Sequence, residues 1–221
     1  MIPLGDRLRK SEFPWVTITL IGLLALIYLW DREWRILGPR ILFSDLAARP
    51  IDVVTALRGG DKEPVVTLFT SAFLHGNLQH ILFNLLYLWV FAPAVESFFG
   101  PVRFALYYMF WGVFAALTQI FVDPSSGVAM LGASGAIAGV MGAYLVLFPS
   151  SVIDSMVPPF YFWRFPMPAW LMLGMWFLFQ IFFAVPGVAN WAHAGGFLAG
   201  MLVGILVGGG KNPIKNGAVV A

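Results

Sequence analysis

Apolar residues are grouped into long blocks along this chain, and polar residues are concentrated between the blocks. Six of the blocks are close to the roughly 20 residues that an α-helix needs to cross the hydrocarbon core of a bilayer. They cover residues 14–30, 78–99, 102–122, 131–149, 166–186 and 189–208. The pattern therefore predicts an all-α membrane protein with six transmembrane helices.

The connections between the blocks are short, with one exception. Residues 31–77 carry six basic and six acidic side chains with apolar residues interleaved among them. This mixture is typical of amphipathic segments at a membrane interface, so we expect a long, structured loop between the first and second helices. No internal repeat indicates separate halves. Residues 1–210 are predicted to form a single membrane domain, followed by a short tail at 211–221.

Composition agrees with a membrane location. Of the 221 residues, 60% are hydrophobic and 11% are charged, and the mean hydropathy is +0.84, which is far from the values of soluble domains. The formal net charge is only +2, so we expect a lipid bilayer around the chain and no nucleic acid partner. Cysteine is absent, which excludes disulfides, a thiolate nucleophile and cysteine-based metal sites.

Outside the 31–77 loop, every basic residue falls on one side of the predicted helices when the crossings are counted. The seven residues are Arg7, Arg9, Lys10, Arg103, Arg164, Lys211 and Lys215. Cytoplasmic segments are enriched in Lys and Arg, so both termini are predicted to be cytoplasmic and the 31–77 loop external. The chain is thus expected to be an integral membrane protein that crosses the bilayer several times.

A few strongly polar side chains lie near the starts of the second, fourth and sixth blocks. They are His80, Asn84, Ser134 and His193. The three helices run in the same direction by parity, so these side chains are predicted to share one layer near the outer surface. Polar groups are costly in lipid, and four of them at one depth favour a functional site over separate hydrogen bonds between helices.

Small residues recur every four positions on the fourth and sixth blocks. The two stripes are Gly135, Gly139, Ala143 and Ala192, Gly196, Gly200, Gly204, Gly208. Because such stripes let helices pack backbone to backbone, we expect the two helices to be neighbours and Ser134 to lie within reach of His193. A serine beside an imidazole permits nucleophilic catalysis. Unpaired N–H groups at the helix start, together with His80 and Asn84, would provide donors for an oxyanion.

Other roles for these polar residues are less favoured. His75 and His80 are turned about 140° from each other on a helix, and no carboxylate lies near them, so neither a metal nor another cofactor is expected. Asp123 is the one acid in an outer connection that could complete a triad with His193. A loop carboxylate in such a position is more often solvated.

Three segments of the second, fourth and sixth blocks resemble the motifs of the rhomboid intramembrane serine proteases. They are HGNLQHILFN, GASGAIAG and AHAGGFLAG, and the resemblance runs from about Phe69 to Gly204. It implies that Ser134 is the nucleophile and His193 the general base and then acid. It also implies an oxyanion site made by His80, Asn84 and the backbone at Ser134, with Gly132, Gly135 and His75 in support.

The resemblance further implies that the substrates are other transmembrane proteins, cleaved within or beside a helix that must first unwind. Two features differ from the family pattern. Val65 and Val66 stand where many members carry a Trp-Arg pair, and Ala138 stands where some carry an aromatic ring against the catalytic histidine. His193 would then be held less firmly, or by another ring. The alternatives are a non-proteolytic rhomboid-like protein that binds membrane helices and a small transporter or channel.

Overall fold

The computed structural model describes residues 1–10, 12–38, 44–157, 159–183, 185, 187–208 and 219–220. Within them lie eight α-helices: α1 Trp15–Trp30, α2 Pro50–Leu57, α3 Glu63–Thr70, α4 Leu78–Phe99, α5 Pro101–Val122, α6 Ser134–Leu147, α7 Ala169–Phe182 and α8 Asn190–Gly208. The strands are β1 Ile2–Asp6, β2 Arg9–Lys10, β3 Val152–Val157, β4 Phe160–Pro168 and β5 Val219–Val220. Two short 3-10 turns lie at Ser44–Leu46 and Ser71–Phe73.

Six of these helices coincide with the six apolar blocks of the sequence. Three of them, α4, α5 and α8, are long and apolar enough to cross a membrane by length and composition. The other three, α1, α6 and α7, are apolar helices of 16, 14 and 14 residues. Helix α6 begins three residues later than the block starting at 131, because Gly132 has a φ of +118° that a helix does not allow.

A small antiparallel sheet shows that the all-α prediction was incomplete. Strands β3 and β4 form a hairpin, and β1 pairs with β3 to give the order β1-β3-β4. The β-branched and aromatic residues of VIDSMV and FYFWRFPMP favour extended structure. Strand β4 therefore lies in the aromatic-rich segment between α6 and α7. The proposed tail at 211–221 lies outside the described residues except for 219–220, which pair with β2.

Polar contacts connect the sheet to the bundle at the end where α4 and α6 terminate. The hydroxyl of Tyr144, near the end of α6, donates to a carboxylate oxygen of Asp6 at 3.0 Å. Arg7 and Asp154 form an exposed ion pair at 2.7 Å. At this end, too, Glu96 in the last turn of α4 accepts bonds from the backbone N–H groups of Val16 and Thr17, each at 2.8 Å. The carboxylate thereby satisfies donors at the start of α1 that the helix itself leaves unpaired.

Helices α6 and α8 are in backbone contact along their glycine stripes, as predicted. A Cβ atom on Gly196 would overlap the carbonyl oxygen of Gly135, and one on Gly200 would overlap that of Gly139. Helix α6 is buried from Gly135 to Tyr144 and lies at the centre of the bundle. This close packing fixes the relative height of the two helix starts, which carry Ser134 and His193.

The segment between α1 and α4 contains the short helices α2 and α3. Val53 of α2 and Leu68 of α3 pack with Ile120 of α5 in a separate small core. Arg32, just after α1, is almost fully buried and donates to the carbonyl oxygens of His75 and Gly76 at 2.8 and 2.9 Å. The segment is therefore connected to the residues that lead into α4.

Candidate active site

The starts of α4, α6 and α8 surround a cavity of about 460 Å³. Its lining includes all four polar residues that the sequence placed in one layer: His80, Asn84, Ser134 and His193. A neighbouring cavity of about 340 Å³ shares His80 and extends past Gly76, Gln119 and Gly187. The four side chains thus line one open cavity.

Ser134 and His193 are hydrogen-bonded to each other across the α6–α8 contact. The distance from Ser134 Oγ to His193 Nε2 is 2.8 Å. Ser134 is the first residue of α6, and the first bond of the helix ladder runs from Ile137 N to Ala133 O. The N–H groups of residues 134–136 therefore precede the ladder and point toward the cavity end of the helix. Such a start is a favourable place for developing negative charge.

Two residues of α7 hold the other side of the His193 ring. Gln180 Oε1 lies 2.8 Å from His193 Nδ1, and the Trp176 ring centroid lies 5.8 Å from that of the imidazole. The aromatic neighbour of His193 is therefore on α7, and Ala138 on α6 is buried. Sequence reasoning missed Gln180, although it is the one amide side chain in the otherwise apolar helix AWLMLGMWFLFQIF.

His80 and Asn84 face Gly132, in the irregular segment that leads into α6. A Cβ atom on Gly132 would lie 2.6 Å from His80 Nε2 and 3.6 Å from Asn84 Nδ2. The Asn84 amide nitrogen is buried without a hydrogen-bond partner. The backbone of Gly132 is fixed, since its N–H donates to Ser71 O at 2.9 Å. Side-chain donors thus converge on a point next to Ser134, where an unpartnered donor is available to a ligand.

His75 lies behind His80 and outside the cavity lining. It is 1% exposed, its ring nitrogens have no hydrogen-bond partner, and its ring meets that of His80 edge to face at 5.0 Å between centroids. Burial, helped by the neighbouring His80, lowers the pKa of His75 from 6.5 to about 3. The ring is therefore a neutral packing partner of His80 at physiological pH.

The remaining residues considered from the sequence have other surroundings. Gly135 lies in helix packing, where an added Cβ would approach Ala115 Cβ at 2.6 Å. Asp123 is exposed, with Ser125 Oγ at 3.5 Å from its carboxylate. Its place at the imidazole is taken by Gln180. The burial of Arg32 was also missed, and its two bonds to carbonyl oxygens just before α4 attach the loop to this helix.

An alcohol bonded to an imidazole, whose second nitrogen has its own acceptor, is the arrangement that activates serine as a nucleophile. Donors at a helix start and on nearby side chains are what a tetrahedral oxyanion requires. Ser134, His193, His80 and Asn84 therefore form a candidate site for acyl transfer.

Comparison with known proteins gives a consistent picture. Residues 62–210 match the family model described as the Rhomboid domain. YdcA, a candidate rhomboid protease of Bacillus subtilis, is 40% identical over 88 residues, which cover 39% of this chain and 44% of YdcA. RHOMBOID-like protein 1 of Arabidopsis thaliana is 32% identical over 179 residues, 79% of this chain and 42% of the relative.

A mitochondrial relative extends over more of the chain. Rhomboid protein 1 of Saccharomyces cerevisiae, named as mitochondrial, is 29% identical over 201 residues, which cover 84% of this chain and 51% of that protein. The chain spans about half or less of the length of the curated relatives it matches.

Proposed function

This chain belongs to the rhomboid family, and we propose that it is an intramembrane serine endopeptidase with Ser134 and His193 as its catalytic dyad. Its substrates would be other membrane proteins, cleaved in or next to their transmembrane segments. The observation that carries the proposal is the 2.8 Å contact between Ser134 Oγ and His193 Nε2 in an open cavity.

In the first half of the reaction, Ser134 Oγ attacks the carbonyl carbon of the scissile peptide bond. His193 Nε2 takes the hydroxyl proton as the new C–O bond forms, and then gives it to the nitrogen of the leaving amine as the C–N bond breaks. The product is an ester between Ser134 and the N-terminal part of the substrate. In the second half, water attacks the carbonyl carbon of this ester and His193 Nε2 takes a proton from the water. His193 then gives that proton to Ser134 Oγ as the ester C–O bond breaks, which releases the carboxylic acid and restores the hydroxyl.

The carbonyl oxygen becomes negative in both tetrahedral intermediates. Donors for it would come from the His80 and Asn84 side chains and from N–H groups at the start of α6. Asn84 supports this role because its amide nitrogen is buried and unpartnered, so that it has no other bond to break before it binds the oxyanion. The Gly132 backbone leaves room for both side chains.

We propose that all six apolar helices cross the membrane, with the cavity in the outer layer and both termini on the cytoplasmic side of a bacterial inner membrane. Residues 1–210 would be the membrane domain and 211–221 its tail. The cavity is lined by residues at the starts of α4, α6 and α8, whereas Glu96 lies in the last turn of α4, so a site near one surface can obtain water. A substrate helix must unwind there, because its peptide bonds are otherwise hydrogen-bonded and shielded.

Cleavage of a tagged single-span membrane protein in proteoliposomes tests the proposal. We expect wild-type protein to cleave it, and Ser134→Ala and His193→Ala to be inactive. A fluorophosphonate probe should form an adduct on Ser134, located by mass spectrometry, that is lost in the His193 variant. Full cleavage by both variants would exclude the dyad, and absence of cleavage and of adduct in the wild type would favour a non-proteolytic membrane-helix binder.

A further inference from the structure

We infer that Gln180 is the positioning residue of the reaction: its side-chain oxygen accepts the Nδ1–H of His193 and keeps Nε2 free to take the proton of Ser134. This inference rests on the proposed function, since it concerns the orientation of the same base. It starts from the two 2.8 Å contacts of the imidazole, one to Gln180 Oε1 and one to Ser134 Oγ.

The orientation of the Gln180 amide is determined by its other neighbours. Its nitrogen lies 3.4 Å from the carbonyl oxygen of Trp176, one turn earlier in α7, and donates to it. The side-chain nitrogen of Asn190 lies 3.4 Å from Gln180 Oε1 and 3.3 Å from the backbone oxygen of Gln180, and donates toward both. The two contacts of the side-chain amide, from its nitrogen to Trp176 and from Asn190 to its oxygen, both favour the orientation in which the oxygen of Gln180 faces His193.

The proton position on the imidazole follows from that orientation. A carbonyl oxygen can only accept, so Nδ1 must carry the hydrogen, and a neutral imidazole has only one. His193 Nε2 is then an acceptor and Ser134 the donor in the 2.8 Å contact. This is the tautomer that a general base for serine needs, because the opposite tautomer would present an N–H to the hydroxyl.

No carboxylate takes this place among the described residues that form the site. Asp123 is exposed at the outer connection, and Glu96 is bound to the start of α1 at the other end of the bundle. A neutral amide orients the ring without adding a negative charge to an apolar region, where an unpaired charge is costly.

The imidazole of His193, which belongs to α8, is therefore held in place by side chains of α7. Trp176 and Gln180 are one turn apart on α7 and both face His193. Phe177 stacks on Phe197 of α8 with centroids 4.7 Å apart, whereas Leu178, Phe179 and Phe182 are exposed on the opposite side. Displacement of the outer half of α7 from α8 would remove the acceptor from Nδ1, so the position of this helix and the competence of the base are coupled.

Substitutions at Gln180 test the inference in the full-length protein, with the tagged single-span substrate in proteoliposomes. Gln180→Met keeps the length of the side chain and removes the acceptor, while Gln180→Glu keeps an acceptor. We expect Gln180→Met to lower kcat by about 10- to 100-fold with KM changed less than about twofold, and Gln180→Glu to recover most of the loss. The rate of fluorophosphonate labelling at Ser134 should change in parallel with kcat.

Leu178→Met is the matched control, because it introduces the same side chain into the same helix. Leu178 is exposed on the side of α7 away from His193, so the kcat of this variant should remain within about twofold of wild type. A Gln180→Met enzyme with wild-type kcat would overturn the inference, as would a Gln180→Glu enzyme that is folded and as slow as Gln180→Met. In both cases an active wild type and an inactive Ser134→Ala variant would leave the dyad itself intact, so the two proposals fail separately.

Discussion

The imidazole of His80 occupies the space that a side chain at position 132 would need. Its Nε2 lies 2.6 Å from the place of a Cβ atom on Gly132, and the φ of Gly132 is +118°. A glycine is therefore required here for two reasons, the backbone conformation and the approach of a donor to the site beside Ser134.

Gly132→Ala should impair catalysis more than folding. The new methyl group pushes His80 away from the oxyanion position, and we expect kcat to fall at least about tenfold. Backbone strain should cost about 1–3 kcal/mol of stability. Steady-state cleavage and thermal unfolding in detergent measure the two effects. Gly127→Ala, in the same connection but with nothing within 4 Å of the added Cβ, should leave both unchanged, and a fully active Gly132→Ala enzyme would contradict the prediction.

Asn84→Ala should lower activity without lowering stability. Loss of an oxyanion donor is expected to reduce kcat by about 10²–10³-fold. The removed amide nitrogen is buried and unpartnered, and such a group costs about 1–3 kcal/mol in the folded state, so the unfolding temperature should stay level or rise.

Asn77→Ala provides the contrast for stability. Asn77 Oδ1 accepts from His80 N at 2.8 Å and caps α4, so its removal should cost about 1 kcal/mol. Equal destabilisation by the two asparagine substitutions would show that Asn84 has a structural bond after all.

Gly200→Ala should separate α6 from α8. A Cβ atom there would overlap the carbonyl oxygen of Gly139, which is backbone and cannot rotate away, so we expect a loss of about 1–3 kcal/mol and of most proteolytic activity. Gly174→Ala in α7 meets nothing within 4 Å and should gain about 0.5–1 kcal/mol from helix propensity. Thermal unfolding of the two variants in the same detergent gives opposite shifts if the stripe holds the helices together.

His75 should make the protein less stable in mild acid. Its pKa is about 3 in the folded state against 6.5, so between these values the unfolded chain binds one more proton and stability falls as the pH falls. The loss from this one group is about 2 kcal/mol at pH 5 and is complete near pH 3. His75→Phe removes it. The difference in unfolding free energy between wild type and variant should therefore change in favour of the variant from pH 7 to pH 5, and a constant difference would refute the assignment.

Much of the fold could be predicted because it depends on local features of the chain. Long apolar blocks specify the helices whatever their neighbours are, and the four-residue spacing of Gly135, Gly139, Gly196 and Gly200 marks the faces that meet. Parity then brings Ser134 and His193 to the same level. The pairing of β1 with β3 was missed because the two strands are about 150 residues apart, and no local pattern records that contact. The β3–β4 hairpin is local, and the β-branched and aromatic residues of its strands were a signal that went unused.

The partners of individual polar groups depended on the tertiary structure. Gln180 and His193 are on different helices, and only the rotation of α7 about its axis decides that the amide faces the imidazole. Arg32 likewise reads as one charge among many in a polar loop, and its burial follows from how the loop folds over α4. The sequence by itself determined which segments are helical and which faces are small or polar, since these follow from hydrophobicity and spacing. The tertiary structure decided which atoms meet, because a hydrogen bond requires positions within a few tenths of an ångström that only the packing of all the helices sets.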